Sequence, residues 1–407
     1  MTGQRNSNLH NAKRAKQDEF YTQWIDIERE MNAYLEYNPD VFRGKTILLP
    51  CDDPGWSNFT KYFALRFEEL GIKKLISTSY APKANMEGAF YTPDDAVIHA
   101  AQYDETKDYT NGKIFVLDGT DRNSDGRVNK DDFTWEYLEG DGDFRSAEVT
   151  ALRDEADMVI TNPPFSLFRE FVAWLVDGDV EFSIIGNMNA ITYKEIFPLI
   201  KENKVWLGAR PRTKGFYFAL PRSVSESLLQ AGELSSTYKE ENGIVFANVS
   251  AIWFTNIQHG RRHEPLRLMS MKENQKYNKR IIKNPNSYKQ YDNYDAIEVP
   301  VTAGIPNDYT VEKTVTQEEY DALIAQGFRV EVLSSSNGGG GLAIRICNPV
   351  MGVPISFLDK YCPEQFEIVG LDRYTVPKEA LVGGRVAVAG KPRYARILIR
   401  HRMALSA

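Results

Sequence analysis

Only three cysteines occur in the 407 residues, at Cys51, Cys347 and Cys362. Their spacing is neither a disulfide framework nor a metal knuckle, so a reducing cytoplasm is the expected setting. Long apolar runs are missing as well. No stretch approaches the roughly 20 apolar residues that a bilayer span requires. Met1 to Gln17 is polar and basic, unlike the apolar core of a secretory signal, so no export is expected. There is no internal repeat, and no G-x-G-x-x-G turn that would favour a dinucleotide. What remains is the composition of a soluble globular protein, 42% apolar and 26% charged. Its length allows a large core divided between two domains.

A net charge of −7 argues against nucleic acid as a partner until its distribution is considered. Ala101 to Ile160 holds 7 Lys and Arg against 16 Asp and Glu, whereas Lys201 to Gln290 holds 16 against 7. Interleaved with the second stretch are Trp206, Phe216, Tyr217, Trp253 and Tyr277. Basic residues mixed with aromatics form the footprint that phosphate backbones attract. The densest cationic cluster is Arg261, Arg262, Arg267, Lys272, Lys276, Lys279 and Arg280, with a lesser one at Lys13, Arg14 and Lys16.

The chemistry centres on Asp157 to Phe165, where a short apolar run ends in Asn162-Pro163-Pro164-Phe165 and helical apolar spacing follows from Phe168. Strand, stiff polar turn, helix is the expected sequence of elements. Two successive prolines fix φ and remove two N–H donors, leaving carbonyls that a helix cannot all absorb. Asn162 adds a side-chain acceptor and Phe165 a flat apolar face. Such a turn suits a planar group with an exocyclic amine, held by its N–H bonds and stacked on its face. An ordinary Asn-Pro turn leading into a helix would use the same letters.

Earlier in the chain, Trp24 to Tyr37 has the spacing of an amphipathic helix. A strand near Lys45 to Leu49 runs into Pro50-Cys51-Asp52-Asp53-Pro54, a helix follows from Asn58 to Leu70, and a second strand spans Lys74 to Thr78. This is a right-handed βαβ unit, whose ligands sit at the carboxyl ends of the strands. Asp52 and Asp53 fall there and suit an amine or ribose hydroxyls better than a pyrophosphate. Asp121 to Asp132 has the oxygen spacing and central glycine of an EF-hand loop. Asp132 is nevertheless short for the bidentate position, and the flanks read as strands, so a hairpin tip is expected and a calcium effect is not. Ile244 to Asn256 reads as extended. Thr316 and Glu319 form a capping box for a helix through Ala325, and Ser334 to Gly341 reads as a flexible loop. The domain boundary is placed near Gln258.

Several stretches, in order along most of the chain, resemble the EcoRI-type adenine-specific DNA methyltransferase family. They are Asp18 to Gln23, Cys51-Asp52-Asp53-Pro54, Gly140 to Ser146, Asn162 to Phe168, Ile185-Gly186-Asn187 with Asn189 to Tyr193, Trp253-Phe254-Thr255-Asn256 and Gly352 to Leu358. The hairpin at Asp121 to Asp132 and the stretch from Val311 to Gly341 depart from that pattern. The resemblance implies an α/β, Rossmann-like methyltransferase with a mostly parallel sheet over residues 1–258 and an α+β target-recognition domain over 259–407. It implies S-adenosylmethionine as cofactor, duplex DNA as partner, and a cytoplasmic enzyme, bacterial or phage-encoded, with or without a separately acting restriction endonuclease. Asn162 and the Pro163 carbonyl would hold the N6 amine of a flipped adenine, with Pro164 stiffening the turn, Phe165 stacking on the base and Trp253 covering its other face. Tyr21, Thr22, Cys51, Asp52, Asp53 and Asp143 would surround the cofactor, with Phe144 against its adenine. Trp253 and Phe144 are equally readable as core rings. Two other classes stay open at this point: a protein glutamine methyltransferase, which uses a similar turn on another planar amide, and a calcium-binding module built on Asp121 to Asp132.

Overall fold

The computed structural model describes residues 22–50, 52–55, 57–81, 102–210, 216–220, 222–232, 234, 237–267, 276–277, 290–291, 296–298, 310–325, 329–335, 341–347, 350–378, 381, 387–388, 391–392 and 396–402. The chain divides into two compact units, residues 1–190 with 205–260, and residues 191–204 with 261–407.

The first unit is built on β1 (Thr46–Leu49), β2 (Lys74–Ser79), β3 (Lys113–Leu117), β4 (Thr134–Tyr137), β5 (Met158–Thr161), β6 (Glu181–Asn187), β7 (Trp206–Leu207) and β11 (Ala251–Thr255). Among the described residues these eight form one sheet, ordered β4-β3-β2-β1-β5-β6-β11-β7. Its centre is parallel: β1 pairs with β2 and β5, and β5 with β6. Both flanks are antiparallel, β3 on β2, β4 on β3, β11 on β6 and β7 on β11. The expectation of a mostly parallel sheet therefore holds for the central four strands only. All four residues of β1 and of β5 are buried, as befits central strands covered on both faces.

Helix α1 (Trp24–Tyr37) buries Ile27, Met31 and Tyr34, a stripe at helical spacing. The next helix breaks at Arg66 into α2 (Asn58–Leu65) and Phe67–Leu70. Helices α3 (Ala147–Glu155) and α4 (Phe168–Asp177) flank β5 in sequence. A second sheet, of β8 (Phe216–Ala219), β9 (Tyr238–Glu241) and β10 (Ile244–Val249), has the order β8-β10-β9 and is antiparallel throughout. The extended stretch expected from Ile244 to Asn256 is thus two strands, separated at Ser250 and serving different sheets. One core joins α1, α2 and β1 to Ile160, Ile185, Phe216, Phe218 and Trp253, and Phe165 packs against it.

The second unit contains a five-stranded sheet of β12 (Gln290–Tyr291), β13 (Ala296–Glu298), β17 (Met351–Pro354), β21 (Arg396–His401) and β18 (Phe366–Leu371), in that order. A three-stranded sheet of β14 (Thr310–Val315), β16 (Leu342–Cys347) and β15 (Arg329–Ser335) and a short ribbon of β19 (Ala387–Val388) with β20 (Lys391–Pro392) complete its strands among the described residues. Helix α5 (Gln317–Ala325) starts at the expected capping box. The Thr316 N–H donates to Glu319 at 2.8 Å and the Glu319 N–H to the Thr316 hydroxyl at 3.2 Å. Most of the loop expected from Ser334 to Gly341 lies outside the described residues.

Candidate functional site

Parallel pairing brings the carboxyl ends of β2, β1, β5 and β6 to one edge of the sheet, where the loop of Asp52 and Asp53 follows β1 and the turn of Asn162 follows β5. β5 ends at Thr161, whose hydroxyl lies 2.5 Å from Asp52 Oδ2 and 2.8 Å from the Pro50 carbonyl. The other Asp52 oxygen accepts the Ser57 hydroxyl at 2.6 Å. The Asp52 N–H donates to the Thr78 carbonyl at 2.7 Å, and the Asp52 carbonyl accepts the hydroxyls of Thr60, at 2.6 Å, and Ser77. Asp52 is 4% exposed. It is a joint between the loop after β1 and the end of β5, so the partly exposed Asp53 beside it is the carboxylate turned outward. Asp53 Oδ1 accepts the Gly55 N–H at 2.8 Å.

Directly after Thr161 comes the Asn162-Pro163-Pro164-Phe165 turn. Pro163 is buried and its neighbours half-buried. The Pro164 carbonyl accepts the Leu167 N–H at 3.0 Å, opening a 3-10 turn at Phe165–Leu167 that leads into α4. At the head of α4, the Phe168 ring fills the space where a Cβ on Gly186 would come within 2.3 Å, and it packs on Phe254 at 5.1 Å. Glycine at the end of β6 therefore seats the helix that follows the turn. Phe165 meets the edge of Phe218 in β8, centroids 6.4 Å apart at 80°. Sequence reasoning named neither Thr161 nor Phe218. The signals were a hydroxyl closing an apolar strand and the Phe-Tyr-Phe alternation that puts two rings on one face of β8.

Thr22 reaches the same neighbourhood: its carbonyl accepts the Asn58 side-chain amide at 2.8 Å. Its hydroxyl is buried with no hydrogen-bond partner among the described residues. A buried hydroxyl in that state is what a bound polar ligand satisfies. With the half-buried carboxylate of Asp53 five residues before Asn58, this donor and acceptor set fits a ligand bearing an amine and hydroxyls. Tyr21 and Cys51 lie outside the described residues. Across β1, the loop from Gly140 to Ser146 docks on the end of β2. Asp143 accepts the Tyr80 hydroxyl at 3.2 Å and pairs with Arg145 at 2.7 Å. The Arg145 hydrogen bonds hold its carboxyl below the ordinary range, against a smaller opposing effect of burial. Phe144 is a core ring, 1% exposed, edge-on to Phe171 at 4.8 Å and Trp174 at 5.6 Å. Trp253 is a core ring too, 1% exposed between Phe59 at 5.9 Å and Phe216 at 6.2 Å. Both rings, expected as stacking surfaces or core, stand in the core because their positions face the interior of the sheet packing.

The family described as adenine-specific methyltransferase EcoRI matches residues 8–324. The chain belongs to that family. It is 37% identical over 397 residues to the type II methyltransferase M.EcoRI of Escherichia coli, covering 98% of this chain and 97% of that protein. Identity is 29% to the type II methyltransferase M.MpnI of Mycoplasma pneumoniae, with 97% and 98% covered, and 29% to M.MgeORF184P of Mycoplasma genitalium, with 96% and 98%. No solved structure matches the chain. The chain is thus an adenine-specific DNA methyltransferase, and a non-enzymatic calcium module and a protein glutamine methyltransferase are set aside.

In the second unit of the methyltransferase, the expected DNA-facing cluster is divided. Arg267 and Lys276 are exposed, and Lys276 Nζ lies 5.0 Å from the centroid of the Tyr277 ring. Arg261 is half-buried. Arg262 is 7% exposed and donates to Asn203 Oδ1 at 2.9 Å, so its guanidinium faces the protein and not a phosphate. Lys272, Lys279 and Arg280 lie outside the described residues.

The loop from Asp121 to Asp132 spans the antiparallel β3 and β4 as a hairpin tip. Its oxygens serve the loop itself. Asp132, fully buried, accepts the N–H groups of Arg122, Asn123 and Asn129 at 2.7, 3.3 and 3.0 Å. Asp121 accepts those of Asp125 and Gly126 at 3.2 and 2.9 Å. Among the described residues no group of three or more His, Cys, Asp or Glu is placed to hold a metal ion, and no helix is long and apolar enough to cross a membrane.

Proposed function

We propose that the methyltransferase transfers the methyl group of S-adenosylmethionine to N6 of an adenine flipped out of duplex DNA, with Asn162 to Phe165 holding the base. S-adenosylmethionine, when bound, supplies an electrophilic methyl on a sulfonium. The chain's own residues supply position. The N6 lone pair is delocalised into the adenine ring, so the amine is a poor nucleophile. Asn162 Oδ1 and the Pro163 carbonyl accept its two N–H hydrogens and favour a pyramidal nitrogen. Phe165 stacks on the ring, and Pro164 stiffens the turn. Displacement of this kind needs alignment and electrostatics more than a covalent intermediate, and an adenine inside a duplex is out of reach without flipping.

The observation that carries this reading is the joint between Thr161 and Asp52. It links the loop after β1 to the residue before Asn162, so the base turn and the acidic loop are anchored to one another. Thr22, Asp53 and Asp143, with Tyr21 and Cys51, are the residues proposed to surround the cofactor. Asp52 holds the loop in place, and Phe144 supports Asp143 from the core. Residues 1–258 carry cofactor and base, and residues 259–407 recognise the duplex through Arg267, Lys276 and neighbouring cations. The protein works in the cytoplasm, and a cognate endonuclease would act separately. Incubation with methyl-labelled S-adenosylmethionine and either duplex DNA or whole-cell protein tests the reading. Label is expected in DNA as N6-methyladenine, and label confined to protein would overturn it.

A further inference from the structure

Between α1 and the segment that follows β7, Gly208 to Arg210, lies a buried charged cluster that the proposed mechanism leaves unused. Glu30, fully buried, accepts the Tyr34 hydroxyl at 2.8 Å and the backbone N–H groups of Ala209 and Arg210 at 2.8 and 3.0 Å. One turn earlier, Asp26 pairs with Arg210 at 3.0 Å, with both side chains under a tenth exposed. Gly208 allows the close approach. A Cβ there would lie 2.2 Å from Glu30 Oε1 and 2.5 Å from Trp253 Cβ. Burial pushes the carboxyls of Asp26 and Glu30 up and the Arg210 guanidinium down, and the attraction between the guanidinium and the two carboxyls opposes both shifts. Buried ion pairs add little net stability, and their best-attested use is to fix one arrangement over others.

The arrangement fixed here leads to the base turn. The Arg210 guanidinium carbon sits 4.0 Å from the centroid of the Phe216 ring. Phe216 stacks on Phe218 at 5.7 Å and 17°, and Phe218 meets Phe165 edge-on at 6.4 Å. We propose that Arg210 is a positioning residue for base stacking, which acts through Phe216 and Phe218 to set the plane of Phe165. This rests on the reading that Phe165 stacks on the target adenine. The planar guanidinium matters here, because it pairs with Asp26 and lies on an aromatic face at once. A lysine ammonium keeps the charge and loses the plane.

The test compares Arg210→Lys and Phe216→Leu with Phe165→Ala in the full-length enzyme. The methylated site is first mapped by base-modification sequencing. Duplexes are then made with adenine or 2-aminopurine at that site. Arg210→Lys and Phe216→Leu are each expected to lower kcat on the order of tenfold with KM for cofactor and DNA unchanged. Both should shift the 2-aminopurine fluorescence of the complex toward that of Phe165→Ala. Wild-type kcat and fluorescence in both, while Phe165→Ala loses them, would overturn the inference and leave the stacking reading intact. Wild-type behaviour of Phe165→Ala would instead overturn the stacking reading, and the inference with it. Loss of activity in step with melting temperature and cofactor affinity would make Arg210 merely structural, against the proposal. If Arg210→Lys does not fold, Phe216→Leu decides alone, since it leaves the charged cluster whole.

Discussion

Thr161 closes β5 one residue before Asn162, and its hydroxyl is shared between Asp52 and the Pro50 carbonyl. A carboxylate 4% exposed must be matched by donors. Here the hydroxyls of Ser57 and Thr161 contribute to the matching. Replacing Thr161 by Val keeps the shape and removes one donor, which should cost about 1–3 kcal/mol of stability. It should also raise KM for S-adenosylmethionine, because the Asp52–Asp53 loop loses its anchor. Thermal melting and steady-state kinetics check this. Unchanged melting and unchanged KM would show that the hydroxyl carries no such load. Residue identity marked Asp52, Asp53 and Asn162 as polar groups in strand-end loops, but not that Asp52 turns inward to Ser57 and Thr161. Orientation was not legible. Trp253, Phe144 and Arg262 carry the letters of stacking and phosphate contacts, yet each is buried, because which way a side chain faces is set by strand pairing and packing far away in sequence.

At the scale of elements, local patterns were legible where local forces decide. The apolar stripe of α1, the capping box of α5 and the hairpin around Asp121 to Asp132 each follow from residues within one or two turns. Strand direction was not, because alternation and apolar runs look alike in either sense. β3 therefore enters the sheet antiparallel to β2, and β10 and β11 separate at Ser250, without a sequence sign. Two predictions belong here. Gly186→Ala forces a Cβ against the Phe168 ring, and overpacking of that kind costs about 1–3 kcal/mol. A lowered melting temperature with reduced kcat is expected, and a variant as stable and active as wild type would show that α4 is not seated through Gly186. The hairpin should ignore calcium. Asp132 and Asp121 already accept backbone N–H groups of their own loop, so neither chelator nor added calcium should move the melting curve. A reproducible calcium-dependent rise would mean that the loop opens its carboxylates to the ion.

Over the whole molecule, charge is divided between the units. Residues 191–204 and 261–407 hold 24 Lys and Arg against 18 Asp and Glu, and the remaining residues hold 25 against 38. Binding to a phosphate backbone releases counterions, so log affinity falls linearly with log salt, by about 0.9 per phosphate neutralised. Replacing Lys276, Lys279 and Arg280 together by Ala should weaken binding to all duplexes and flatten that slope by up to about three. KM for the cofactor should stay as in wild type. Arg262→Ala should lower stability and leave the slope alone, because its guanidinium is turned to Asn203. Fluorescence titrations of the full chain across a salt series measure both. An unchanged slope in the triple variant would move the binding face elsewhere, with Lys13, Arg14 and Lys16 the next cations to test.

The claim on which the rest depends is that Asn162 acts on the substrate amine and not on the cofactor or the fold. Asn162→Ala therefore bears on it most directly. DNA from a host expressing the variant is sequenced with base-modification detection beside DNA from a host expressing wild type, while the purified variant is titrated with S-adenosylmethionine. Losing such a contact in the transition state costs on the order of a few kcal/mol. N6-methyladenine is accordingly expected at a defined site with wild type and absent with Asn162→Ala, which should bind S-adenosylmethionine as wild type does. Methylation by the variant at near wild-type kcat would contradict the account.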